Sequence, residues 1–192
     1  MILSQFQTVG RDLFTQGLVS SNTGNLSIRL GTRIIITRRG SRLGSLEEND
    51  LIETGLTKND RATPLASEEL PVHRAIYRQT SAQAIVHAHP PHAVALSLTG
   101  PEIVPSDAEG LSIVGQIPVL GWHTNVTHDM LADMIAQALK QRRIVMIHGH
   151  GSFAIGQLLE EAHNYTTMFE ESCRVVCLLR SLQLSSAKKA KT

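Results

Sequence analysis

Cysteine is nearly absent: the 192 residues contain only Cys173 and Cys177. Spaced four apart in an apolar stretch, the two thiols share one helix face and read as core residues. No CxxC pair or disulfide framework is present, a usage that suits a reducing cytoplasm. Aromatic residues make up 4% of the chain, too few for a base-stacking surface. Charge of one sign is lacking as well. Lys and Arg number 18 against 17 Asp and Glu, a formal net charge of +1, so no global field points to nucleic acid or a membrane. No apolar run approaches the about 18 residues of a membrane span. The start, Met1-Ile2-Leu3-Ser4, lacks the basic residues and apolar run of a signal peptide.

What remains is an ordinary globular composition, 42% apolar and 18% charged, long enough for one domain with a substantial core. No repeat or long linker divides it. We expect one domain over residues 1–183, followed by a solvated, disordered basic tail, 184–192, that includes Lys188-Lys189-Ala190-Lys191.

Hydrophobic spacing predicts a helix over Ile2–Gln16, with Phe6, Val9, Leu13 and Phe14 on one face and Gly17 as the stop. Leu26–Leu30 and Arg33–Thr37, separated by Gly31-Thr32, read as a β-hairpin. Glu47–Glu53 starts a short helix or a strand. Ser67 is the expected N-cap of a helix over Glu68–Gln79, with Pro71 early enough to be tolerated. Ala84–His89 is a strand halted by Pro90-Pro91, and His92–Leu98 is helical. A strand follows at Ile117–Leu120. The helix Asn125–Lys140 carries Met130, Leu131, Met134, Ile135 and Ala138 as its stripe. Ile144–Ile147 and Ser152–Ile155 are strands, and Leu158–Leu182 is a long C-terminal helix. Interspersed strands and helices give a mixed α/β sheet with helices packed on it.

The nine histidines are unevenly placed. His87 and His89, two apart on a predicted strand, project from the same face. His148 and His150 repeat that spacing at the end of another apolar strand. Two such strand ends can bring three imidazoles together and leave one coordination position open, the pattern of a catalytic rather than a structural zinc site. Strand-edge polarity explains either pair alone, so spacing leaves both readings open. Glu69 and His73 are four apart at the start of a predicted helix. Glu69 either complements the helix dipole or moves a proton beside a metal-bound carbonyl.

Four segments together resemble the class II aldolase/adducin family, whose best-known members are fuculose-1-phosphate aldolases. They are Asn22-Thr23-Gly24-Asn25-Leu26-Ser27, Ser67-Glu68-Glu69-Leu70-Pro71-Val72-His73, Ile85-Val86-His87-Ala88-His89-Pro90, and His150-Gly151 after an apolar strand. Their order and spacing agree from about residue 2 to 182. The resemblance implies a three-layer α/β/α subunit with a central mixed, largely antiparallel sheet. It implies one zinc per subunit on His87, His89 and His150, and Glu69 as base and acid. It further implies that Asn25, Gly40, Ser41 and Ser67 bind a substrate phosphate, with Arg39 close by. The subunit is expected in a cyclic homotetramer with active sites at the interfaces.

The implied reaction cleaves a ketose 1-phosphate to dihydroxyacetone phosphate and a small aldehyde through a metal-stabilised enediolate. Glu69 would need a raised pKa to work near neutrality. A Schiff-base mechanism has no support, because neither Lys58 nor Lys140 lies in an apolar run.

The chain departs from the family pattern in three places. Glu68 replaces a serine, Arg39 replaces a Ser or Thr before Gly40, and the loop Ser106–Gly110 offers Asp107 and Glu109 where a tyrosine donates a proton in the fuculose-phosphate enzymes. A methylthioribulose-1-phosphate dehydratase would keep the same histidines and glutamate. A pentulose-phosphate 4-epimerase would carry Asp in place of Glu69, and an adducin-like binding module would lack the ligands.

Overall fold

The computed structural model describes residues 1–121 and 127–189. Its helices are α1 (Ile2–Thr15), α2 (Leu70–Gln79), α3 (Pro91–Ser97), α4 (His128–Ala138) and α5 (Leu159–Lys189). Its strands are β1 (Asn25–Leu30), β2 (Arg33–Thr37), β3 (Leu51–Gly55), β4 (Ala84–Ala88), β5 (Glu102–Ile103), β6 (Ile117–Leu120), β7 (Ile144–Ile147) and β8 (Ser152–Gly156).

The strands form one eight-stranded sheet in the order β3-β2-β1-β4-β8-β7-β6-β5. Only β6 and β7 pair in parallel, so the sheet is mixed and largely antiparallel. Alternation along the central strands feeds two separate cores. Ala84, Val86 and Ala88 of β4 join Phe6, Val9 and Leu13 of α1 and Phe169 and Cys173 of α5 on one side. Ile85 of β4 and Phe153 and Ile155 of β8 join Ile76 and Tyr77 of α2 and Ile135 and Leu139 of α4 on the other. The result is the expected three-layer arrangement, with α1, α3 and α5 on one face and α2 and α4 on the opposite one. His87 follows Val86 in β4 and therefore faces the α2 side. No helix among the described residues is long and apolar enough to cross a membrane.

The β1–β2 hairpin closes where expected: Leu30 pairs with Arg33, and Gly31 takes φ 59°, which a side chain would resist. Other boundaries moved. Helix α2 begins at Leu70, with Glu69 as its N-cap residue and Pro71 in its first turn. A start at Glu68 would move Pro71 beyond the first turn, where its ring meets the carbonyl four residues back and its missing N–H would leave a helix bond unmade. Ser67 is not the N-cap, although its hydroxyl accepts a bond from the Glu69 N–H at 3.2 Å.

Residues 47–53 supply both readings, a 3₁₀ turn at Glu48–Asp50 and then β3. Helix α4 starts at His128 behind a Thr127 cap; of the expected stripe it buries Ile135 fully and Leu131, Met134 and Ala138 in part, adds Ala132, Ala136 and Leu139, and leaves Met130 outside. Met130 is 55% exposed and Phe14 is 51% exposed, since packing selected a slightly rotated face in both helices. The α5 backbone continues to Lys189, beyond the expected end at Leu182 and into the segment assigned to the tail. Residues 190–192 of that tail, and Trp122 and His123, lie outside the described residues.

Candidate metal and acid/base site

Strand β4 ends at Ala88, and its last residues carry His87 and His89 to the edge of a cleft. His150 arrives differently from the expected second strand pair. Strand β7 stops at Ile147, and the turn through Gly149, with φ 63°, swings His150 back over the sheet. His148 does not join His150 on a strand face, because its backbone N–H turns to bond the Leu120 carbonyl.

One ligand atom from each of His87, His89 and His150 lies within 4.8 Å of the others. The Nε2 atoms of His87 and His89 stand 3.0 Å apart. Tetrahedral zinc with bonds of about 2.05 Å needs nitrogens about 3.3 Å apart, so this pair has the right reach for a metal. His87 Nδ1 lies 2.9 Å from the carbonyl oxygen of Ser152. A carbonyl only accepts, so Nδ1 carries the proton and Nε2 offers its lone pair to the centre. Burial depresses the His87 pKa, and burial with the neighbouring His87 and His150 lowers His89 to about 4. Both imidazoles are thus kept neutral near pH 7, the form a metal requires.

Glu69 is the hub of the polar contacts. Its Oε2 lies 3.1 Å from His87 Nε2, and its Oε1 lies 3.2 Å from His150 Nε2. Asn25 Nδ2 donates to Oε2 at 2.9 Å. Burial favours the neutral acid, and the neighbouring imidazoles of His87 and His150 and the Asn25 amide oppose it. Glu69 is held below the usual carboxylate range, the reverse of the raised value expected from the sequence. At rest it is therefore an ionised base rather than an acid.

The cleft beside these groups has a volume of about 370 Å³. Asn25, Gly40, Ser41 and Ser67 all line it, together with Arg38, Arg39 and Glu68. Gly40 takes φ 72°, and Ser41 folds back to donate to the Arg38 carbonyl at 2.9 Å. Arg39 Nε meets Glu68 Oε1 at 3.3 Å, so the two departures from the family pattern neutralise each other. Asp107 and Glu109 do not line the cleft, and the Asp107 carboxylate instead accepts the Gly110 N–H at 2.7 Å.

Packing gives several further residues a reason that the sequence alone did not supply. A Cβ on Gly151 would lie 2.5 Å from the Ala88 carbonyl, 2.7 Å from His89 Cδ2 and 3.0 Å from His87 Cε1, so only glycine fits behind these two histidines. On Gly24, at φ 78°, a Cβ would lie 2.8 Å from the His87 carbonyl. Ser27, His73 and Tyr77 form a buried hydrogen-bonded row beneath Asn25. Its signal was the polar i,i+2 and i,i+4 spacing inside otherwise apolar segments.

The model of the class II aldolase and adducin N-terminal domain family matches residues 4–177. The chain belongs to this family. Class II aldolases are metal-dependent, in keeping with the three-histidine group of this member. The structure of l-fuculose-1-phosphate aldolase from Thermus thermophilus is similar at 38% identity and a TM-score of 0.88, over 95% of each chain. An L-fuculose phosphate aldolase from Methanocaldococcus jannaschii is 27% identical over 91% of this chain and 94% of its own. A 3-oxo-tetronate 4-phosphate decarboxylase from Pectobacterium atrosepticum is 27% identical over 89% of this chain and 81% of its own. A "probable bifunctional methylthioribose-1-phosphate isomerase/methylthioribulose-1-phosphate dehydratase" from Nocardia farcinica is 33% identical over 49% of this chain, a match that spans only 18% of that protein. Family membership makes this class II aldolase relative an enzyme of the aldolase or lyase kind.

Proposed function

We propose that the chain is a zinc-dependent lyase that cleaves a ketose 1-phosphate of the fuculose-1-phosphate type to dihydroxyacetone phosphate and a small aldehyde. One observation carries the reading: Glu69 bridges His87 and His150 at the rim of a cleft lined by hydroxyls, amides and arginine. His87, His89 and His150 would hold the metal, which supplies Lewis-acid stabilisation of charge developing on the substrate carbonyl oxygen.

The chain's own groups perform the rest. Asn25, Ser41 and Ser67, with backbone N–H groups around Gly40, orient the phosphate. Cleavage removes the proton of the C4 hydroxyl and breaks the C3–C4 bond. The aldehyde leaves, and the electron pair remains as an enediolate. The C4 hydroxyl proton is released to solvent, and Glu69, having taken up a proton from solvent, delivers it to C3, completing dihydroxyacetone phosphate; in condensation it removes that proton.

Residues 1–183 constitute the catalytic domain, acting in the cytoplasm. The resemblance to the aldolases supports a homotetramer whose interfaces complete the site and supply the proton donor that Asp107 and Glu109 do not provide within one chain. The decarboxylase relatives support a second reading, since loss of CO₂ from a 3-oxo acid phosphate leaves the same kind of enediolate.

The deciding experiment is metal analysis with product analysis. Zinc near one per chain, and dihydroxyacetone phosphate released from a panel of ketose 1-phosphates, is the expected result. CO₂ release from 3-oxo-tetronate 4-phosphate without any aldol cleavage would replace the aldolase reading by the decarboxylase one. Water loss from methylthioribulose 1-phosphate would replace it by the dehydratase.

A further inference from the structure

We propose that His73 is a positioning residue, the middle of a one-way hydrogen-bond chain from Tyr77 through Ser27 and His73 to Asn25 that fixes the Asn25 amide nitrogen against Glu69. The proposal rests on Glu69 being the acid/base of the lyase reading.

The chain arises from two matched repeats. Glu69, His73 and Tyr77 follow one another at four-residue steps along one face of the α2 segment, about 6 Å apart. Asn25 and Ser27 follow at a two-residue step along one face of β1, about 6.6 Å apart. The two ladders interlock, so contacts alternate between helix and strand. Tyr77 Oη meets Ser27 Oγ at 2.7 Å, Ser27 Oγ meets His73 Nδ1 at 2.6 Å, and His73 Nε2 meets Asn25 Oδ1 at 2.6 Å. Asn25 Nδ2 then reaches Glu69 at 2.9 Å. His73 and Ser27 are fully buried, and Tyr77 and Asn25 nearly so, so no solvent competes for these groups.

Chemistry sets the direction. The Asn25 amide turns its Nδ2 towards Glu69, to which it donates, and its Oδ1 towards His73. Its Oδ1 must then accept, which makes His73 Nε2 a donor. A neutral imidazole with its proton on Nε2 has a lone pair on Nδ1, so the Ser27 hydroxyl donates there. Ser27 Oγ in turn accepts from Tyr77. Burial, the largest influence on His73, lowers its pKa to about 3 and keeps the ring neutral.

Every member thus has one consistent role, and Ser27 decides the His73 tautomer. Without the Ser27 hydroxyl, the proton can move to Nδ1. Nε2 would then accept, the amide would rotate, and Oδ1 would face the carboxylate. The site would lose a donor where it needs one.

Nitrogen-15 NMR of the imidazoles, on the full chain loaded with zinc, reads the tautomer directly. The proposal expects His73 with its proton on Nε2 near neutrality. In Ser27→Ala it expects Nδ1–H to appear, and kcat/KM for a cleaved ketose 1-phosphate to fall about tenfold with zinc content unchanged, the effect of one charge-assisted hydrogen bond. Tyr77→Phe leaves the Ser27 donor in place and should give a smaller drop without the tautomer change. An imidazolium or Nδ1–H form of His73 in the unaltered protein overturns the proposal, whatever becomes of the variants. So does a Ser27→Ala protein with unchanged tautomer and unchanged kcat/KM. Absence of lyase activity in the unaltered protein would sink the functional reading instead, because the tautomer measurement does not depend on turnover.

Discussion

The His87 ring donates from Nδ1 to the Ser152 carbonyl at 2.9 Å, across the β4–β8 pairing in which Ala88 faces Ser152. This bond belongs to the sheet as much as to the site. It fixes the ring plane and leaves one lone pair, aimed at the space between His89, His150 and Glu69. His89 lies just past the strand and has no such tie among its described bonds, its Nε2 lying 3.0 Å from that of His87.

From this asymmetry, His89→Ala should keep the fold and lose the metal, since two imidazoles bind zinc poorly. The stabilisation that added zinc gives the unaltered protein, about 2.7 kcal/mol at a hundred times the dissociation constant, should vanish with it. Metal content and thermal melting with and without zinc check both parts. Full zinc occupancy in the variant would remove His89 from the ligand set.

Glu69→Gln preserves shape but removes the proton carrier. Turnover should fall by about 10² to 10⁴-fold, the usual worth of general acid/base catalysis, with zinc retained. Single-turnover assays of the purified variant are the check, and near-normal rates would contradict the role.

Gly151→Ala tests the packing behind the ligands. A methyl group there must displace the Ala88 carbonyl and the rings of His89 and His87. Zinc affinity should drop by about 10 to 100-fold, as when supporting groups of a metal site are disturbed. Competition with a chelator measures it. An unchanged affinity would mean the backbone yields more easily than the close approach implies.

Acid should destabilise the metal-free protein through His73. Its folded value of about 3 lies below the ordinary 6.5, so between these pH values the unfolded chain takes up a proton that the folded chain refuses. The stability of the neutral form is therefore complete above pH 6.5 and declines as pH falls towards 3, by up to about 1.4 kcal/mol per pH unit for one proton. His89, lowered to about 4, contributes with the same sign. Urea melts of His73→Gln should show a shallower pH slope than the unaltered protein in this window. Equal slopes would show that His73 is charged in the fold or not buried in solution.

Much of the fold was legible because local signals and packing agreed. Gly31-Thr32 closes the hairpin it promised, and the alternation in β4 delivers Val86 to one core and His87 to the site. The departures came where tertiary packing chose between nearby faces, as with Met130 in α4, or where two residues formed a strand too short to show a period, as with Glu102–Ile103. The gathering of His87, His89 and His150 was readable from histidine spacing together with the family resemblance, but the turn carrying His150 was not. Its geometry depends on Gly149 and on where His148 finds a partner. The Tyr77–Asn25 row was hidden for a different reason. Its members are ordinary turn, strand and helix residues until the register between α2 and β1 brings them into line.

That His87 takes its proton partner from β8, and that His150 and Glu69 stand 81 positions apart in the chain, has a consequence for how the protein matures. The three histidines have no preorganised geometry until the long-range β4–β8 pairing is closed, and pairings of such separation form late. Metal uptake then times the last stage of folding and can be followed as its clock. A variant that frays the centre of the sheet should fill slowly with zinc even where its helices form at the normal rate.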